Sequence, residues 1–275
     1  MSNPVFSSSP VFGERRRGAA PVAYGPAGGV AADAATLEQM YGAPAATTRD
    51  TGRMTYDDVI VKTGGLLVLL VVVAAATWQL APQIWPIGMI VGLVLGLVNS
   101  FKREPSPALI IAYTAAEGVF LGGISLAFQN MTFDSSTGTA EPIVLQAVLG
   151  TFATFGAALF LYKSGRVRVT PKFTRFFLIA LAGYALFSLA NFGLSFFMAS
   201  DGFGPLRNGG MGIVAGLVAV GLAALSLIMD FDAIDRGVRQ GAPAKFAWTA
   251  SFGLIVTLVW LYLELLRLLA MFNRN

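Results

Sequence analysis

The chain has 275 residues, 55% of them hydrophobic and 12% charged, with 19 Lys and Arg against 15 Asp and Glu. That charged share is about half the ~25% of a soluble globular domain, and the apolar residues fall in long blocks, the pattern of a polytopic membrane protein. There is no Cys and no His, which excludes disulfides, thiolate chemistry, Cys or His metal sites and imidazole acid–base catalysis.

Met1 to about Thr55 forms a first region, rich in Ser, Pro, Ala and Gly, with Arg15-Arg16-Arg17 and no periodic apolar face. Its composition predicts a disordered cytoplasmic tail. It does not read as a signal peptide, because no apolar core follows the arginines. Thr36 to Tyr41 and Met54 to Val59 are short candidate amphipathic turns.

Residues 56–275 form the membrane domain, an all-α bundle of seven transmembrane helices. The apolar blocks run approximately Val59–Ala81, Ile84–Phe101, Pro107–Gln129, Pro142–Tyr162, Thr174–Ala199, Gly210–Phe231 and Phe246–Met271. Each is close to the length that crosses a bilayer as a helix. Only a few residues join the first two, which predicts a tight helical hairpin. Small residues recur every fourth position at Gly88, Gly92 and Gly96, at Gly118 and Gly122, and at Gly212 and Gly216. Such faces let helix backbones approach closely, and packing within one bundle is the simpler reading than a dimer interface. There is no convincing internal repeat.

Charge sets the expected orientation. With the N-terminus inside, sixteen of the nineteen Lys and Arg fall on the inner side, leaving Arg207, Arg267 and Arg274 on or near the outer side. This places the N-terminus in the cytoplasm and the C-terminus outside, in a plasma (inner) membrane for a bacterial cell. The same distribution explains the net charge of +4 without nucleic acid, since no basic stripe or nucleic-acid motif is present. No His-Glu-x-x-His, Gly-x-Ser-x-Gly or phosphate loop occurs, so an enzyme is not expected, nor a cofactor.

Three acids lie in or at the edge of a span, where an ionised carboxylate is costly and usually functional. Glu117 is near the centre of the third span and needs a partner, water or a proton. Asp230 ends the sixth, followed by Asp232 and Asp235, which share a helix face and can pair with Arg236 and Arg239. Glu264 lies late in the seventh, three residues from Arg267, its candidate partner. Trp78, Trp85, Trp248 and Trp260 are candidates for interfacial belts.

These residues together resemble the Bax inhibitor-1/YccA-like family of seven-span membrane proteins, over about Val59 to Met271, with the tail outside the similarity. Glu117-Gly118 is similar to the family's Glu-Gly in span 3. Met229-Asp230-Phe231-Asp232-Ala233-Ile234 is similar to its aromatic-Asp-x-x-x-Ile at the end of span 6, with Met229 in place of the aromatic. Leu261-Tyr262-Leu263-Glu264 and Leu265-Leu266-Arg267 resemble its Leu-Tyr-Leu-Asp and Leu-Leu-Arg elements, with Glu264 for Asp and no residues between the two. The resemblance implies a bundle with span 7 near its centre. It also implies an acid pair from spans 6 and 7, here Asp230 and Glu264, that senses pH and gates a slow Ca²⁺ leak.

Depth argues against contact within that pair. From Phe246 to Glu264 is roughly 27 Å of helix at 1.5 Å per residue, so Asp230 at the inner end of span 6 is expected nearly a bilayer away. Glu264 is then better placed to face Glu117. The leading expectation is a pH-sensitive Ca²⁺ leak, since carboxylates are hard oxygen ligands suited to Ca²⁺. The alternative is a non-transporting stress-response regulator that docks a membrane-bound AAA protease or another membrane partner through its tail.

Overall fold

The computed structural model describes residues 52–131, 133–134, 139–140, 142–167, 169–198 and 204–273. The expected disordered tail and the turn at Thr36 to Tyr41 lie outside them, apart from residues 52–55. Seven helices are long and apolar enough to cross a membrane. They are α1 (Tyr56–Leu80), α2 (Trp85–Phe101), α3 (Pro107–Met131), α4 (Ile143–Lys163), α5 (Pro171–Leu194), α6 (Gly209–Arg239) and α7 (Ala247–Phe272). Single 3₁₀ turns at Pro82–Ile84, Pro205–Arg207 and Ala244–Phe246 precede α2, α6 and α7. The only strands among the described residues, Phe133–Asp134 and Thr139–Ala140, are two residues each and pair antiparallel between α3 and α4.

Local chemistry sets several boundaries. Thr55 caps α1: its hydroxyl accepts from Asp58 N at 3.1 Å, and Asp58 Oδ2 accepts from Thr55 N at 3.1 Å, a reciprocal capping box. Met54 to Val59 is therefore a cap running into α1, not a separate amphipathic turn. Pro82 follows α1 and helps stop it. Thr170 caps α5 by accepting from Phe173 N at 3.2 Å, with Pro171 at the first helical position.

α1 starts three residues before its apolar block, at Tyr56, and two helices depart further from theirs. α5 runs Pro171–Leu194 instead of Thr174–Ala199, because the Thr170–Pro171 signal starts it a turn earlier and Ser195 N closes it onto Asn191 O. α6 continues past Phe231 to Arg239. Ion pairs Asp232–Arg236 at 2.8 Å and Asp235–Arg239 at 2.9 Å, each spaced four residues apart, support this polar extension. Asp230 is consequently nine residues inside the helix end, not at it.

α7 is central. Two thirds of its apolar window (67%) is buried, against 11% for α2 and α5, and it contacts α1, α3, α4 and α6. α3 packs on α1 and α2 through the glycine faces. A Cβ on Gly88 would lie 2.6 Å from Phe120 N and 2.8 Å from Ala116 O, and one on Gly118 would lie 2.8 Å from Val73 Cβ. Gly216 of α6 similarly faces Leu268 of α7. α5 is peripheral, with Phe177 and Asn191 its only buried residues.

The end of the bundle where α1 begins is tied by Met54 N donating to Ala242 O at 2.7 Å, Ala244 N donating to Gly52 O at 2.8 Å, and Lys245–Glu104 at 2.9 Å. We call this the near end, and the opposite one, with the α5–α6 connection and the end of α7, the far end.

Candidate functional site

Glu264 sits on the third-last turn of the central helix, 4% exposed. Three side chains from different parts of the chain converge on it. Tyr184 of α5 donates its hydroxyl hydrogen to Oε1. Arg207 Nη1 donates to Oε2 at 3.3 Å. Arg267 Nη1, one turn along α7, reaches both oxygens at 3.0 and 3.1 Å.

Arg207 is the structural centre of this group and is 3% exposed. Its Nη2 donates to the Tyr184 hydroxyl at 2.5 Å and to Ser188 Oγ at 3.0 Å. Its guanidinium lies 5.3 Å from the Tyr184 ring centroid and 5.6 Å from that of Phe187, within cation–π range. Backbone placement makes this reach possible. Gly204, at φ +90°, turns the chain into the Pro205–Arg207 turn, and Asn191 Oδ1 accepts from Leu206 N at 2.9 Å. Sequence reasoning placed Arg207 on the outer side and missed it as a partner. The available signal was an arginine in a connection on the side otherwise poor in cations.

The group closes one side of a cavity of about 660 Å³ between α5 and α7, also lined by Ser195, Phe192 and Trp260. Trp260 stacks near Tyr184, with ring centroids 5.8 Å apart, so it is part of this wall and not simply a belt residue. A low-dielectric carboxylate is stable when paired and hydrogen-bonded, and removal of one partner strands the others. Glu264, Arg207, Arg267 and Tyr184 thus form a polar latch holding the peripheral α5 to the central α7.

Asp230 belongs to a different place. Its Oδ2 accepts from Thr257 Oγ1 of α7 at 2.7 Å, and it faces Gly253 one turn away. Glu117 faces α2, where a Cβ on Gly92 would lie 2.9 Å from its Oε1. Relative depth follows from α3 and α7, which run parallel. Tyr113 stacks edge-on against Phe252 at 5.0 Å, and Ser125 bonds Tyr262 at 2.6 Å. Glu117 is therefore level with about Val256, next to Thr257. Glu264 is seven residues further, roughly 10 Å at 1.5 Å per residue.

Both depth expectations are corrected by this geometry. Asp230 and Glu264 are not a bilayer apart, because α6 extends beyond its apolar block and carries Asp230 inward. Glu264 does not face Glu117, because its oxygens are taken by Tyr184 and two arginines. It is Asp230 and Glu117 that share a depth, on different neighbours of α7. Asp232, the other candidate acid, pairs with Arg236 near the near end. Among the described residues no three acids converge as a metal site.

A sequence model of the family described as Bax inhibitor 1 like matches residues 3–274. The match begins at residue 3, so it takes in the tail that the motif resemblance leaves out. No curated protein matches the chain.

Proposed function

The chain belongs to the Bax inhibitor 1 like family, and from that premise we propose that it is a pH-sensitive Ca²⁺ (cation) leak closed at its far end by the Glu264 latch. The observation that carries this reading is the single buried carboxylate holding two guanidiniums and a peripheral helix. Arginines across a pathway repel cations. Loss of the Glu264 charge frees both, and with them the tie between α5 and α7. Asp230 and Glu117, at matched mid-depth, then supply oxygen ligands of the kind Ca²⁺ accepts.

The membrane orientation is part of the proposal: N-terminus in the cytoplasm, C-terminus outside, in the plasma (inner) membrane. Lys102, Arg103, Lys163, Arg166, Lys172, Arg175 and Lys245 all belong to near-end connections or helix termini, where the positive-inside rule counts them. Arg207 and Arg267 are engaged with Glu264.

Ca²⁺ flux into proteoliposomes tests the leak. Flux should exceed that of empty vesicles at some pH between about 8 and about 5 and be greatest at the acid end. Glu264→Gln should give high flux with little pH dependence. Wild-type flux no greater than that of empty vesicles at every pH overturns the reading.

One observation favours the regulatory alternative. Gly52 and Met54 bond the α6–α7 connection, so the first described residues are tied to that loop, a surface that a membrane-bound AAA protease or other partner could recognise. Deleting residues 1–51 keeps this tie; a regulator then loses its partner, whereas a leak persists.

A further inference from the structure

Beside the latch, the α5–α7 cavity carries an imbalance of charge. Two guanidiniums, Arg207 and Arg267, share one carboxylate, Glu264, which leaves one positive charge among the described residues. Glu264 cannot absorb more, since its two oxygens already accept from Tyr184, Arg207 and Arg267. The Arg267 side chain is 28% exposed and spends only Nη1 on Glu264. Its Nη2 and Nε bond no described residue. A surplus charge in a low-dielectric wall is costly unless an anion compensates it.

The cavity's shape and lining narrow the anion. About 660 Å³ far exceeds the ~30 Å³ share of one water, so the space suits a group larger than a halide. Ser195 and Arg267 both line it, and a guanidinium fork matches phosphate oxygens. Trp260, Phe192 and Leu263 supply an apolar wall, as expected for a site that also holds carbon. Phe192 is 60% exposed, so this wall is not sealed by the rest of the bundle. We infer that this cavity binds a singly charged phosphate group through Arg267, carried by a lipid headgroup or by free phosphate. The inference is independent of the leak reading, because binding is measured without flux.

The full chain, purified in neutral detergent, is titrated with dihexanoylphosphatidylglycerol, with inorganic phosphate, and with zwitterionic dihexanoylphosphatidylcholine, and the unfolding midpoint is followed. A saturable rise with phosphatidylglycerol alone identifies a lipid source, and one that phosphate also produces identifies the free group as sufficient. Ser195→Glu, at an exposed position outside the latch, adds a competing carboxylate and should weaken the apparent affinity at least about tenfold, as should Arg267→Gln. Arg267→Lys should keep the charge and lose part of the affinity. No saturable rise with either anion, an equal rise with phosphatidylcholine, or unchanged affinity in folded Ser195→Glu overturns the inference. So does binding that emerges only in Asp201→Asn, which would make Asp201, outside the described residues, the native counter-charge.

Discussion

Arg207 and Glu264 are 57 positions apart in the chain and 3.3 Å apart in the structure, each almost wholly buried. Their pairing joins the α5–α6 connection to the central helix and sets Tyr184 between them. Glu264→Gln should therefore destabilise the bundle by about 3 kcal/mol, because two guanidiniums lose their counter-charge. The loss should appear as a wider spread of distances between spin labels at Leu149 on α4 and Leu186 on α5. The chain has no native cysteine, so labels can be placed directly. An unchanged distance distribution would show that α5 is held by other means.

The two arginines should not be equivalent. Arg207 has four polar or ring partners and is 3% exposed, whereas the Arg267 side chain is 28% exposed with one acid partner. Arg207→Gln should cost about 3 kcal/mol and Arg267→Gln about 1 kcal/mol or less, as expected for buried against partly solvated pairs. Denaturation of both variants under the same conditions decides the order.

Thr257→Val removes the hydroxyl that donates to Asp230 and keeps the side-chain shape. The α6–α7 contact should lose about 1 kcal/mol or less, the usual size of one interhelical hydrogen bond in a membrane protein. If Asp230 lies on a cation route and the Glu264 latch gates it, flux should change in Thr257→Val while its pH profile keeps the wild-type shape. Measuring the pH profile of the variant separates the two roles.

Gly88→Leu places atoms where Phe120 N and Ala116 O now stand. Backbone cannot yield as a flexible side chain can, so α2 must move away from α3. A loss of about 2 kcal/mol, in the range for overpacking, should accompany weaker cross-linking between α2 and α3. Gly156→Leu is the matching control, since a Cβ there meets nothing within 4 Å.

At the near end, Lys245 holds the Glu104 carboxyl below its ordinary value of 4.5 by hydrogen bonding and by charge. A depressed acid contributes its stabilisation above the unfolded value and loses it as pH falls through the lower folded value. The pair is therefore intact from about pH 8 to about pH 5. Glu104→Gln should leave the pH profile of Ca²⁺ flux unchanged, and a shifted profile would place a sensor at the near end.

Much of the architecture was legible in the chain, as the glycine faces show. Gly88, Gly92, Gly118 and Gly216 pack where their spacing suggested, because close helix approach depends on missing side chains and is local to each helix. Helix ends were less legible. Hydropathy marks where apolar residues stop, but α6 runs on through Asp232, Asp235, Arg236 and Arg239, whose ion pairs keep the helix regular. That misplacement of Asp230 produced the mistaken depth argument.

The sequence alone determined the solvent of this protein, its seven helices, and the short inventory of acids that must be compensated, since the cost of placing apolar blocks and charges in a bilayer depends on residue type and run length. Only the tertiary structure decided which charges meet. Arg207 and Tyr184 reach Glu264 through a turn after Gly204 and the lateral placement of α5. Pairing in a low-dielectric interior depends on distances of a few ångströms between segments far apart in the chain, and no local pattern of residues encodes those distances.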